Sequence, residues 1–226
     1  ISKTGLPGVG ILAIPLFAAV LPARASTGVV LPMLLVADVV AVAWYRHHAA
    51  WRHVWRLLPW AVAGVLLGYL ALGRMNDRQI RPLIGAIVLA MLGLNLLRPR
   101  VPWLEQQMPR CWWFAAGLGL LAGGTTMLAN AAGPIMILYL LAMGLPKTAF
   151  IGTAAWYFLI MNALKVPFSA HLGLIHAESL LFNLKLVPLV LVGTGLGLLI
   201  MRRIPQKLFE AAMQILTAAG AVHLFL

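Results

Sequence analysis

A small set of polar side chains lies within long apolar stretches of the sequence, where a lipid bilayer would surround them. They are Lys3, Thr4, Asp38, Thr125, Thr126, Asn130, Thr153, Asn162 and Lys165. Asp38 is the only carboxylate deep in an apolar stretch, because the other acidic residues fall near predicted loops. Polar and ionisable groups at membrane depth usually mark a substrate or ion pathway. These residues are therefore the candidate functional site.

Two glycine-rich segments point to an anion as the ligand. One covers residues 2–10, and the other covers residues 123–130 with a Gly-Pro step just beyond. A glycine-rich break lets a ligand approach the unpaired N–H groups and partial positive charge of a helix N-terminus. Lysines in or near the breaks add full charge. The predicted substrate-binding residues are Lys3, Thr4, Gly5, Gly8, Thr125, Thr126, Asn130, Gly133, Thr153, Asn162 and Lys165.

Asp38 has two alternative roles that the sequence leaves open. It could neutralise Lys3 or Lys165 as a buried structural pair, since a buried ion needs a partner. It could instead carry a coupling proton, if desolvation raises the pKa of its carboxyl. Asn162 and Lys165 are three residues apart and share a helix face, so both are predicted to lie at the same site.

The composition indicates an integral membrane protein. Of 226 residues, 62% are hydrophobic and only 10% are charged, with a mean hydropathy of +0.95, which leaves too little polar surface to cover a soluble core. The formal net charge of +12 comes from basic residues divided among short loops, so we expect topology signals and no nucleic-acid binding. A single cysteine, Cys111, excludes an internal disulfide.

Other kinds of chemistry have little support in the sequence. His47, His48 and His53 have no cysteine or carboxylate beside them, so we expect no metal site and no cofactor. Motifs of metalloproteases, serine hydrolases and nucleotide-binding loops are absent, and we expect no catalytic residues and no enzyme. A membrane enzyme for a lipid-linked substrate would need acid and base residues clustered at an interface, whereas the polar residues here fall in mid-span.

Six apolar segments are long enough to cross a hydrocarbon core of about 30 Å. They cover residues 23–45, 53–73, 79–97, 148–170, 180–201 and 205–226. Residues 112–122 and 131–143 are apolar but too short to cross alone, and residues 123–130 between them are predicted to interrupt the helix. Two glycine pairs, Gly64/Gly68 and Gly193/Gly197, are predicted to allow close helix packing instead of binding a ligand.

An internal repeat organises the chain. Leu21-Pro22, Gly28 and Asp38 recur 124 positions later as Leu145-Pro146, Gly152 and Asn162, and after five extra residues the match continues at an offset of 129. We divide the chain into a first repeat at 1–97, a cytoplasmic linker at 98–110 and a second repeat at 111–226. The first repeat is expected to lack an N-terminal helix segment that would precede Ile1. Internal repeats are typical of secondary transporters, whose site lies between the two units.

Each repeat is predicted to contain one broken, re-entrant helical hairpin and three transmembrane helices, an all-α fold. This gives an odd number of crossings, so the second repeat runs opposite to the first and the repeats are inverted. Placing the 46–56 loop inside puts ten basic residues on the cytoplasmic side against four outside, as the positive-inside rule favours. The ten are Arg46, Arg52, Arg56, Arg98, Arg100, Arg110, Lys147, Arg202, Arg203 and Lys207.

The motifs at these positions resemble the TauE/SafE sulfite exporter family. The resemblance rests on residues 1–8, 129–134, 138–141, 145–146, 151–153 and 162–165 and covers nearly the whole chain. It implies a multi-pass carrier of the cell inner membrane, an exporter of small anions such as sulfite and organosulfonates. Many members carry further glycines where this chain has Thr125, Thr126 and Asn130, which leaves the particular substrate open. A passive anion channel, an uptake permease for another small carboxylate or oxyanion, proton coupling and a homodimer all stay open.

Overall fold

The computed structural model describes residues 14, 16–18, 20–97, 112–200 and 222, and its regular elements there are all helices. We number the longer helices α1 (Ala23–Tyr45), α2 (Trp51–Arg74), α3 (Asp77–Leu97), α4 (Trp112–Ala129), α5 (Gly133–Ala142), α6 (Lys147–His171) and α7 (Ala177–Ile200). A 3-10 turn, Arg46–His48, follows α1. The helical fold class is confirmed.

Five of the described helices are long and apolar enough to cross a membrane: Ala25–His48, Trp51–Arg74, Trp112–Ala129, Thr148–His171 and Ala177–Gly195. Four of them correspond to predicted spans, and the span predicted at 79–97 is helical as α3. The span predicted at 205–226 lies outside the described residues, apart from Val222. The chain is therefore a multi-pass membrane protein, as the composition predicts.

The helix break predicted at residues 123–130 was wrong in its extent. Helix α4 continues through Gly123 and Gly124 to Ala129 and has 18 residues, where only 112–122 was expected to be helical. The backbone leaves the helix at Asn130, which has a positive φ of 53°. Glycine lowers helix propensity by only about 1 kcal/mol. The packing of these glycines against α2 explains why the helix persists.

Helices α2 and α4 run side by side in the same direction, with their backbones in close contact. A Cβ added to Gly123 would collide with the carbonyl of Ala61, and one added to Gly64 would collide with the carbonyl of Leu120. Gly68 faces Gly124 and the side chain of Met127. These contacts confirm the packing role predicted for Gly64 and Gly68, because only residues without a side chain allow helices to approach so closely.

The second glycine pair does not show the same packing. A Cβ at Gly193 in α7 would have no atom within 4 Å among the described residues. The residues that the structure describes therefore supply no partner for Gly193, and the packing role of the Gly193/Gly197 pair stays a prediction.

Helices α1 and α6 are antiparallel. Gly28, near the start of α1, meets Leu174, just beyond the end of α6, and Gly152, near the start of α6, meets Tyr45 and the turn after α1. Halfway between these contacts, Asn162 of α6 donates a hydrogen bond to Asp38 of α1. This antiparallel crossing places the polar residues of the two helices beside each other.

Candidate functional site

Lys165 is the centre of the polar cluster. Its side chain is 1% exposed, deep among helices that are otherwise apolar. The ammonium Nζ lies 2.6 Å from Asn130 Oδ1, 2.9 Å from the Thr126 carbonyl, 3.1 Å from Thr126 Oγ1 and 3.2 Å from Asn162 Oδ1. Burying an ammonium is costly unless its protons are hydrogen-bonded, and these acceptors meet that requirement. The structure thus keeps the Lys165 cation at membrane depth.

Asn162 connects this cation to the buried carboxylate. Its amide Nδ2 donates to Asp38 Oδ2 at 2.6 Å, while its Oδ1 accepts from Lys165 at 3.2 Å. Asp38 is fully buried and Asn162 is 2% exposed. An amide offers a donor and an acceptor on separate atoms without adding charge. The carboxylate, amide and ammonium therefore form a continuous hydrogen-bonded chain.

Asn130 and Thr126 bring the end of α4 into the same cluster. Asn130 adopts the left-handed conformation that commonly ends helices, and its Nδ2 donates to the Thr27 carbonyl of α1 at 3.0 Å. The last carbonyls of a helix lack backbone partners and carry partial negative charge. The Thr126 carbonyl, near the end of α4, accepts from the Asn130 N–H at 3.0 Å and also from the Lys165 ammonium. Lys165 therefore stabilises this helix terminus as well as occupying the site.

Within α6, Lys165 lies closer to the end of the helix than to its start. Lys165 is six residues before the last residue of α6, His171, which is about 9 Å at 1.5 Å per residue. Between Lys165 and that end, Tyr69 of α2 packs on Phe168 with ring centroids 5.2 Å apart, and its hydroxyl lies 2.9 Å from His171 Nδ1. Aromatic side chains of α2 and α6 therefore pack together at the end of α6 that lies nearer to Lys165.

The structure brings together Asp38, Thr126, Asn130, Asn162 and Lys165 out of the predicted set. Thr125 lies on the same helix, but its hydroxyl donates to the Leu121 carbonyl of its own helix. Thr153 accepts from the N–H of Ala50 at 2.9 Å and so fastens the loop after α1 to the start of α6. Gly133 begins α5. Lys3, Thr4, Gly5 and Gly8 lie outside the described residues.

Sequence reasoning missed two polar contacts within the helices. The Thr27 carbonyl, a backbone group that holds Asn130, has no sequence signal at all. Asn183 of α7 is 4% exposed and donates to the Val29 carbonyl at 2.9 Å. An asparagine inside an apolar span could have been found by the same rule that selected Asn162. Within the described ranges, no three histidine, cysteine or acidic side chains could hold a metal ion.

The cluster therefore holds an ammonium and a carboxylate, with neutral amide, hydroxyl and carbonyl groups between and around them, deep among the helices. Together with the apolar helices, it is typical of a membrane transporter. The model of the family described as sulfite exporter TauE/SafE matches residues 3–224. The chain belongs to this family, and the predicted resemblance is confirmed. Comparisons with curated proteins and with solved structures give no significant match.

Proposed function

We propose that the protein is a secondary transporter that exports small sulfur-containing anions, such as sulfite or organosulfonates, across the cell inner membrane by alternating access. The observation that carries the proposal is the buried ammonium of Lys165, 1% exposed and within reach of Thr126, Asn130 and Asn162. A cation at membrane depth is costly and marks a pathway for an ion or substrate. The family, whose described members export sulfite, supports this class of anion.

The site is proposed to lie between two inverted repeats, 1–97 and 111–226, joined by a cytoplasmic linker at 98–110. The contacts of α1 with α6 support this arrangement. Asp38 and Asn162, equivalent at the repeat offset of 124, are hydrogen-bonded to each other. Gly28 and Gly152, equivalent at the same offset, each pack against the far end of the other helix. Such contacts are expected where a two-fold pseudo-axis in the membrane plane relates the two units.

The re-entrant hairpin of the second repeat is proposed to be α4 with α5. Phe114 of α4 stacks on Tyr139 of α5 at 6.4 Å, so α5 returns along α4 after the break. With 10 residues, α5 is about 15 Å long, too short to cross the membrane. The equivalent segment of the first repeat, with Lys3, Thr4, Gly5 and Gly8, is proposed to complete the site, together with Gly133 and the threonines.

The burial of the cluster fits the closed state through which an alternating-access carrier must pass. Asp38, Asn162 and Lys165 are all at most 2% exposed, as expected of a state in which the pathway is closed around the site. An open pore would leave the same groups in contact with water.

Reconstituted protein tests the proposed function directly. Purified protein is screened for binding of sulfite, sulfate, taurine, sulfoacetate and thiosulfate, and the anion that binds is loaded into liposomes. We expect external labelled anion to accumulate by counterflow, because a carrier exchanges substrates through one alternating site. A passive channel would show flux without counterflow. Counterflow of acetate, tested beside the sulfur anions, with none of them exchanged would identify a carrier for another oxyanion.

Cysteine labelling tests the inverted topology. His48 and Glu178 are both exposed, and the proposed topology places them on opposite sides of the membrane. In a background without Cys111, we expect an impermeant maleimide to label Glu178→Cys in intact cells and His48→Cys only after permeabilisation. Equal labelling of both positions in intact cells would contradict the topology.

A further inference from the structure

The ammonium of Lys165 is fully engaged in the described conformation. A lysine has three protons to donate, and four acceptor atoms lie within 3.2 Å of this nitrogen. Since the side chain is 1% exposed, no direction is left from which an anion could accept a hydrogen bond. An anion can therefore reach this cation only by replacing one or more of the acceptors that now surround it.

The acceptors fall into two groups that differ in how they are attached. Asn162 lies one turn before Lys165 on α6, and its amide is held by Asp38 at 2.6 Å. Thr126 and Asn130 belong to the end of α4 and to the break before α5. Releasing the first group would also disturb the buried carboxylate. Releasing the second group would separate α6 from the end of α4.

Asn130 links the second group of acceptors to other parts of the structure. It is the residue at which α4 ends, and it also donates to the Thr27 carbonyl of α1 at 3.0 Å. One side chain thus touches α1, the α4–α5 break and the Lys165 ammonium. The residues that follow it, Ala131 and Ala132, are each 1% exposed, so the break is closed in this conformation.

We propose that Lys165 is a clamp that the transported anion opens. The anion takes the ammonium from Asn130 and Thr126, while Asn162 stays bound to it, and the α4–α5 break is released from α6. This inference rests on the proposed function and adds to it the step by which an occupied site changes conformation.

The exchange has a physical basis in charge. A hydrogen bond between an ammonium and an anion is charged on both sides and stronger than one to a neutral amide or carbonyl oxygen. A ligand can shift a conformational equilibrium only by its difference in affinity for the two states. Here the two states differ in the partner of the Lys165 ammonium. The anion binds the state in which the ammonium is available, and the end of α4 holds the ammonium in the other state.

The labelling rate of a cysteine at the α4–α5 break tests whether the anion opens the clamp. Ala132→Cys, in a background in which Cys111 is replaced by serine, is labelled with a maleimide in detergent with and without sulfoacetate, which does not react with the label. We expect sulfoacetate to accelerate labelling by about tenfold, the scale of one released charge-assisted contact. Binding of sulfoacetate is measured on the same sample by calorimetry.

Two variants should open the break without a ligand. Lys165→Met and Asn130→Ala each remove one side of the contact, so we expect fast labelling that sulfoacetate no longer changes. Thr194→Val is the matched control, because the Thr194 hydroxyl is buried and donates only to its own helix, at the Val190 carbonyl. It should keep slow labelling that the anion accelerates.

The outcomes separate the clamp from the proposed function. Binding of sulfoacetate with an unchanged labelling rate at Ala132→Cys would overturn the clamp and leave the anion site standing. Slow labelling in Lys165→Met and Asn130→Ala would also overturn it. Failure of every anion in the screen to bind would overturn the proposed function and the clamp with it.

Discussion

Replacing Lys165 with methionine is expected to weaken anion binding by about tenfold or more. Methionine keeps an unbranched side chain of similar length but removes the charge, and a charge-assisted hydrogen bond contributes about 1.5–3 kcal/mol. Every 1.4 kcal/mol corresponds to about a tenfold change in affinity. The dissociation constant of the best-binding anion is measured for wild type and variant in the same detergent.

Lys185→Met provides the matched control for this charge. Lys185 is an exposed lysine on α7. Replacing it with methionine therefore removes the same charge from the protein without changing the cluster. We expect its anion affinity to stay at the wild-type value. A folded Lys165→Met variant with wild-type affinity would move the binding site elsewhere in the chain.

Thermal stability must be followed beside affinity, because Lys165 also has a structural role. Its removal leaves Asn130 Oδ1 and Asn162 Oδ1 without their shared donor, while the Thr126 carbonyl keeps the Asn130 N–H. Unsatisfied buried acceptors cost about 1–3 kcal/mol each. Saturating ligand should therefore stabilise wild type and Lys185→Met far more than Lys165→Met, which separates lost binding from lost folding.

Asp38→Asn is expected to abolish uphill, pH-driven transport while anion binding and exchange continue. Asparagine has nearly the shape of aspartate and retains an oxygen that can accept from Asn162, but it cannot take up a proton. If Asp38 carries the coupling proton, the variant exchanges anions across liposomes but no longer accumulates them in response to a pH gradient. Flux with and without the gradient is the measurement.

The structural alternative for Asp38 predicts a different result. If the carboxylate only balances Lys165, removing its charge leaves an uncompensated buried cation, at a cost of about 3–5 kcal/mol in soluble proteins. The double variant Asp38→Asn/Lys165→Met should then lose less stability than the sum of the losses in the two single variants, since no unbalanced charge remains. A stable Asp38→Asn variant with wild-type uphill flux would eliminate both roles.

Hydropathy predicted most of the helices correctly. The span predicted at 23–45 coincides with α1, and those at 53–73 and 148–170 differ from α2 and α6 by two residues or fewer at each end. This is expected, because the length of an apolar segment and the position of its polar ends are local properties of the sequence, set by the thickness of the bilayer. The family motifs are local as well, because each is a short sequence pattern that does not depend on the fold.

The glycines show where local reasoning fails. Gly123 and Gly124 have the sequence pattern of a broken helix, yet both lie within α4. Because they lack side chains, α4 can pack closely against α2 at this point. Whether a glycine breaks a helix or packs it depends on what lies opposite, and a single sequence does not contain that information. The actual end of α4 is set at Asn130, whose left-handed backbone is stabilised by a carbonyl of α1.

The sequence by itself determined that the chain crosses a membrane and carries a few polar groups where lipid would surround them, and it predicted a repeat. It also selected Asp38, Asn162 and Lys165 individually, because a charge or amide in an apolar span is conspicuous wherever it occurs. Only the tertiary structure decided that Asn162 lies between the carboxylate and the ammonium, and that Lys165 holds the end of α4. Those contacts join residues 124 and 39 positions apart in the chain, and they depend on how the helices cross.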